Sequence, residues 1–215
     1  MFGGAFAPFH NGHLRLAIEA RERLGLDELR LVPTAHPAHR QASSVSPQRR
    51  LEWLRLGIRR EPGLVADDCE IRRAGPSFTV DTLTALRSEY PDTPLVLLMG
   101  ADAFAHLHCW HRWQQLIELA HLAVIARADA RLEPPAEVLP LLQGREANTA
   151  EDLRESPAGR WMRLDVPVLD ISSTRIRGLL GQRLSVRGLV PDAILQTLTA
   201  ADIAALTQDH DAKTH

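Results

Sequence analysis

Cysteine is nearly missing from this chain. Cys69 and Cys109 are the only two in 215 residues, and they do not form a Cys-x-x-Cys pair. That excludes a disulfide framework, and with no secretory leader expected, the thiols point to a reducing compartment, the cytoplasm. Long apolar runs are also lacking. The longest, such as Pro94 to Gly100, have the length of a buried strand and fall far short of the ~18 residues of a membrane span. Nor is there an excess of one charge: 25 Lys and Arg against 27 Asp and Glu leave a formal net charge of −2, too little to draw in nucleic acid. Any anion binding must therefore come from local clusters of Arg and His. With 45% hydrophobic and 24% charged residues, the composition is that of a folded globular chain.

Short apolar runs alternate with amphipathic stretches. Leu29 to Val32, Leu95 to Met99 and Leu122 to Ala126 read as strands buried on both faces. Asn11 to Leu24, Pro47 to Arg60 and Thr79 to Glu89 carry apolar residues at helical spacing. This order predicts an α/β fold: a Rossmann-like, doubly wound, mostly parallel sheet with helices on both faces. We expect one domain over residues 1–206, with a frayed tail over 207–215. An irregular, proline-rich excursion is expected at about 131–158. After it come a strand over Trp161 to Val168, a helix over Ser172 to Leu180 and a terminal helix over Pro191 to Leu206. If Gly3-Gly4 is the turn after the first strand, only Met1 and Phe2 remain to form it, too few for a central strand, which leaves two readings open: a start upstream or a truncated chain.

The string Gly3-Gly4-Ala5-Phe6-Ala7-Pro8-Phe9-His10-Asn11-Gly12-His13 places two glycines before a rigid turn, two histidines and a helix start. Glycines let backbone N–H groups approach an anion closely, a helix N-terminus adds unpaired donors, and histidines add donors or charge. Two other readings stand beside this phosphate site. One is a plain tight turn with surface histidines. The other is zinc, because His10/His13 and His36/His39 are both His-x-x-His pairs; with no Cys or suitably spaced carboxylate near them, no metal ligation by side chains is expected. Phe9 either covers a bound nucleotide or fills a gap.

A second string, Asp170-Ile171-Ser172-Ser173-Thr174-Arg175-Ile176-Arg177, follows a strand and opens a helix. Ser172, Ser173 and Thr174 are suited to cap that helix or to bind phosphate oxygens, and an arginine there can neutralise a leaving pyrophosphate. Arg175 and Arg177 lie about 200° apart on a helix, so one of them faces a ligand.

Taken together, Gly-Gly-x-Phe-x-Pro-x-His-x-Gly-His and Ile-Ser-Ser-Thr-x-Ile-Arg resemble the bacterial nicotinate-nucleotide adenylyltransferase family. The resemblance runs on through Pro37 to Arg40, Gly75 to Leu83, Met99 to Asp102, Trp110 to Trp113, Val124 to Arg127 and Leu189 to Pro191, which is nearly the whole chain. It implies an enzyme that moves the adenylyl group of ATP, with Mg²⁺, onto nicotinate mononucleotide, giving deamido-NAD and pyrophosphate in NAD synthesis. By that pattern His10, His13 and Arg177 would be catalytic. Gly3, Gly4, Ala5, Gly12, Gly100, Asp102, Ser172, Ser173 and Thr174 would bind ATP, and His39, Arg40, Thr79, Trp110 and Arg127 would hold the acceptor. Its partners would be small molecules, with no membrane and no nucleic acid, and a homo-oligomer is left open.

The residues bear on those roles in their own right. Trp110 offers a flat face to a pyridine ring, and Arg127, just past a strand, suits a phosphate. Against this, Trp110 and Trp113 also read as core aromatics, and Asp102 and Thr79 as helix N-caps. Ala5 and Ala7 stand where the family more often has Thr or Ser and Asp, so two polar groups are missing beside the phosphate site. Two alternatives follow: transfer to nicotinamide mononucleotide or another phosphate acceptor, and a catalytically weakened nucleotide-binding regulator.

Overall fold

A computed structural model describes residues 1–37, 43–126, 132–167 and 169–211. Six strands, β1 (Phe2–Gly4), β2 (Leu29–Pro33), β3 (Leu64–Ala66), β4 (Val96–Gly100), β5 (His121–Ala126) and β6 (Trp161–Asp165), form one sheet in the order β3-β2-β1-β4-β5-β6. Every pairing is parallel. The helices are α1 (Asn11–Leu24), α2 (Pro47–Ile58), α3 (Cys69–Arg72), α4 (Thr79–Glu89), α5 (Ala101–Ala105), α6 (Leu116–Leu119), α7 (Leu139–Leu142), α8 (Ser173–Gly181), α9 (Asp192–Leu195) and α10 (Ala200–Asp211). Among the described residues no helix is long and apolar enough to cross a membrane.

The unbroken apolar strands are explained by how they divide. Alternate residues of a strand point to opposite faces. Leu98, Ala123, Ile125 and Leu164 enter one core with Ala17, Ala20, Trp53, Leu54 and Ile176 from α1, α2 and α8. Their neighbours Leu97, Met99, Leu122 and Val124 enter a second core with Val80, Leu83, Phe104 and Ile117 from α4, α5 and α6. Both faces are therefore covered, as a parallel sheet requires. The strand order reverses between β1 and β4, and in open α/β sheets ligands bind in the crevice outside the strand ends at that point.

Several boundaries differ from those expected. β3 has only three residues, too few for its pattern to stand out in the sequence. The excursion is less irregular than its prolines imply: α7 lies within it, and Val138, Leu142 and Leu153 are buried. The terminal helix is two helices, because Thr199 and Asp202 form a new cap: Asp202 accepts from the Thr199 N–H at 2.9 Å, and Thr199 Oγ1 accepts from the Asp202 N–H at 3.1 Å. The expected tail is helical as far as Asp211, and residues 212–215 lie outside the described set. β6 ends at Asp165, and Val168 is likewise outside.

Candidate active site

β1 delivers the first motif to the crevice. Gly4 closes the strand, and a side chain there would place Cβ 2.9 Å from the Phe6 ring, so the sharp exit needs glycine. Phe6 itself has φ 48°, an uncommon backbone region for a bulky residue, and it is held there by complete burial. Phe9 fills a gap rather than covering a ligand: it is fully buried, and its ring would lie 2.6 Å from a Cβ at Gly57 of α2. His10 caps α1, its Nδ1 accepting from the His13 N–H at 3.2 Å.

The two imidazoles stack with ring centroids 3.6 Å apart and 19° between planes. Phe6 and Phe9 pack on His13 at 5.1 and 5.6 Å. Burial pushes His10 down to about 4 and, with a smaller contribution from His10, pushes His13 well below the usual imidazole range. Both rings are therefore neutral at pH 7, and they offer N–H donors rather than the charge the sequence also allowed. Nδ1 of His13 is buried without a partner. Stacked face to face, the rings do not converge on a point, which suits an anion better than a chelated metal. Among the described residues no group of three or more His, Cys, Asp or Glu is placed to hold a metal ion, and His39 lies outside that set.

The second motif closes against the first. Gly12 is where they touch: a Cβ there would lie 3.0 Å from His10 Nδ1 and 3.2 Å from the Ile171 carbonyl. Ser172 is the N-cap of α8, its hydroxyl accepting from the Arg175 N–H at 3.1 Å. Ser173 Oγ donates to the Pro8 carbonyl at 3.1 Å. Arg175 is exposed and Arg177 buried, so the two do face apart. Arg177 reaches the turn, donating from Nη1 to the Ala7 carbonyl at 2.9 Å and from Nη2 to Thr174 Oγ1 at 3.1 Å, while its Nε is buried without a partner.

Sequence reasoning missed Arg50 of α2, which is buried beside the same turn and donates to the carbonyls of Ala5 and Thr34, both at 2.6 Å. Its signal was a charge on the apolar stripe that carries Leu51, Trp53, Leu54 and Ile58. The carbonyls of Ala5, Ala7 and Pro8 are thus all turned onto protein donors. The N–H groups of Phe6, Ala7, Phe9 and His10 donate to no acceptor among the described residues. A turn with these three carbonyls satisfied and its N–H groups open is suited to receive an anion.

Across the switch point, β4 ends in Gly100, which is itself the N-cap of α5. Asp102 is therefore not the cap; it sits exposed in the first turn. Thr79 is likewise the first residue of α4, with Phe78 at the cap and no side-chain cap bond. Ser77 ties this end to the loop after β2, its hydroxyl accepting from the N–H groups of Ala35 and His36 at 3.2 and 3.0 Å. The Trp110 loop is pinned to the same end: His111 lies on the Phe78 ring at 4.2 Å and Arg112 pairs with Asp81. Trp110 and Trp113 both pack, partly buried, against the second core. The structure thus brings Gly3, Gly4, Ala5, His10, Gly12, His13, Ser172, Ser173, Thr174 and Arg177 together. His39, Arg40 and Arg127 lie outside the described residues.

A family model described as cytidylyltransferase-like matches residues 1–179. A protein of Aeromonas hydrophila named as a probable nicotinate-nucleotide adenylyltransferase is 44% identical over 197 residues, covering 91% of this chain and 92% of that protein. The chain belongs to the nicotinate-nucleotide adenylyltransferase branch of the cytidylyltransferase-like family. A Pseudomonas aeruginosa adenylyltransferase, named in the same way, is 42% identical over 201 residues, covering 93% of this chain and 94% of its own length. Among solved structures, the nicotinic acid mononucleotide adenylyltransferase of Plasmodium falciparum complexed with NaAD aligns with a TM-score of 0.65. It covers 97% of this chain and 93% of the other at 14% identity, a likeness of fold that extends well beyond detectable sequence similarity.

Proposed function

We propose that this adenylyltransferase passes the adenylyl group of ATP to nicotinate mononucleotide, releasing pyrophosphate and forming deamido-NAD. What carries the reading is the β1–α1 turn at the switch point, with the carbonyls of Ala5, Ala7 and Pro8 occupied, its N–H groups open and two neutral imidazoles beside it. Relatives that are 42–44% identical over more than nine-tenths of the chain, named for this activity, supply the substrate pair.

The reaction is one in-line displacement. An oxygen of the acceptor's phosphate attacks the α-phosphorus of ATP, the bond from that phosphorus to the bridging oxygen breaks, and pyrophosphate leaves with the electron pair. The nucleophile is already ionised at neutral pH, so no general base is required, and catalysis reduces to alignment and stabilisation of charge. Magnesium would come with ATP as part of the substrate and would supply charge neutralisation on the phosphates. His10, His13 and the open N–H groups of the turn donate to the triphosphate. The positive ends of α1 and α8, with the hydroxyls of Ser172 and Thr174, face the leaving phosphates. Arg177 acts on the same group through its free Nε edge while holding the Ala7 carbonyl. Asp102 borders the ribose, and Trp110 and Thr79 lie on the acceptor side, where His39, Arg40 and Arg127 complete the set by the family's pattern.

The test is to incubate the protein with MgATP and, in separate tubes, nicotinate mononucleotide, nicotinamide mononucleotide and phosphopantetheine, reading pyrophosphate and the adenylylated product. Rapid turnover in the nicotinate tube is expected. Preference for another acceptor would replace the substrate assignment, and ATP binding without turnover in any tube would leave a nucleotide-binding regulator.

A further inference from the structure

The parallel ladder between β1 and β2 ends with the Thr34 N–H donating to the Gly4 carbonyl at 2.9 Å. The next two carbonyls, those of Ala5 and Thr34, lie beyond the ladder on the two loops that enter the crevice. Both are taken by a single side chain: Arg50 donates to Ala5 through Nη1 and to Thr34 through Nη2, each at 2.6 Å. Its Nε donates to the Val45 carbonyl at 3.3 Å, one residue before the Ser46 cap of α2. Only 2% of Arg50 is exposed, so the guanidinium is held by the fold and reaches no ligand directly. A planar fork of five donors can serve several carbonyls in fixed geometry, which one ammonium cannot.

The turn has little means of holding itself. Ala5 and Ala7 end in methyl groups, so no side chain at these positions can hydrogen-bond the backbone. The donors come from outside: Arg50 at residue 5, Arg177 at residue 7 and Ser173 at residue 8. A carbonyl released from such a donor would turn its negative end toward the site the triphosphate is to occupy, and a displacement of about 1 Å in a binding turn is enough to cost ~10²-fold in rate. Arg177 and Ser173 belong to the second motif, and Arg177 keeps an unpartnered Nε beside the turn; Arg50 comes from α2 and belongs to neither motif.

We propose that Arg50 is a positioning residue for nucleotide binding, acting as the last rung of the β1–β2 ladder and fixing the turn so that its N–H groups meet the triphosphate. The inference rests on the adenylyl-transfer reading only in placing a triphosphate at this turn. Arg50→Lys keeps the charge but can serve one carbonyl well. It is compared with the parent in three ways: thermal melting, separate KM values for ATP and acceptor, and the ring NMR signals of His10, His13 and His121 without nucleotide. The expected result is a cooperative melt, a KM for ATP raised ~10-fold or more with the acceptor KM changed less than about twofold, and shifted His10 and His13 signals beside an unshifted His121.

An ATP KM and His10 signal equal to the parent's would overturn the proposal. So would ATP and acceptor KM values that rise by the same factor. If Arg50→Lys does not fold, Arg50→Gln, which leaves no buried charge, is put through the same readouts. A parent that bound no ATP would sink the function reading instead, and the nucleotide-free His10 signal would still decide whether Arg50 sets the turn.

Discussion

Two buried histidine sites occupy opposite ends of the sheet. His121 opens β5 at the amino ends of the strands, whereas His10 and His13 flank the turn at the carboxyl end of β1. In all three, burial lowers the imidazole pKa below its ordinary value. The hydrogen bonding is what separates them. His121 uses both ring nitrogens: Nδ1 accepts from the Arg160 N–H at 3.1 Å, which leaves Nε2 to donate to the Ser156 carbonyl at 2.9 Å. His13 has a buried Nδ1 with no partner, beside a turn whose N–H groups are also open. Burial alone therefore says nothing about function. His121 is satisfied within the scaffold; His13 keeps an unused nitrogen beside the open N–H groups of the turn, and that combination is what the proposed function puts to use.

The comparison breaks most visibly by truncating each ring. His13→Ala is expected to lower kcat by ~10²-fold or more while the protein stays folded, read by steady-state kinetics beside a melting curve; a near-normal rate would remove His13 from the site. Acidification tests both sites at once. The folded pKa of His10 is about 4 against 6.5 for the free side chain, so the unfolded chain takes up the proton first. Stability from this group is intact above about pH 6.5, falls as the pH drops through that window, and has lost about 3 kcal/mol by pH 4. Urea unfolding at a series of pH values should show the fall, and His10→Asn should make it shallower.

His121→Leu leaves the Ser156 carbonyl and the Arg160 N–H without their partner. It should cost about 2–3 kcal/mol in denaturant unfolding with kcat per folded molecule unchanged. The smallest effect is expected for Gly12→Ala, whose methyl group presses on His10 and the Ile171 carbonyl. That should raise the KM for ATP by ~10-fold while costing about 1 kcal/mol of stability. An unchanged KM would mean that the contact between the two motifs is not needed for nucleotide binding.

The sequence made legible whatever repeats or stands out locally. Strands buried on both faces show as unbroken apolar runs, and the doubly wound sheet follows from their alternation with helical periodicity. Both motifs stand out because glycines, histidines and hydroxyls crowd into short strings. Three-residue β3 has no length over which a pattern can appear, and the break between α9 and α10 depends on a Thr199–Asp202 cap that resembles any surface pair until it is folded. The role of Arg50 stayed hidden for another reason. Its acceptors are backbone carbonyls, which carry no residue identity, and two of them lie 16 and 45 residues away in the chain. The charge state of the histidines was beyond the sequence as well, because it is set by aromatic packing in three dimensions.

The order of synthesis gives the join between the two motifs a consequence for the newborn protein. Ser173 and Arg177 reach back 165 and 170 residues to the turn. A nascent chain that has emerged as far as Asp165 already contains all six strands, yet it lacks both donors that hold the carbonyls of Pro8 and Ala7. The sheet can therefore assemble on the ribosome before the second motif reaches the turn. The crevice is completed only when α8 docks and brings Ser173 and Arg177 to the turn.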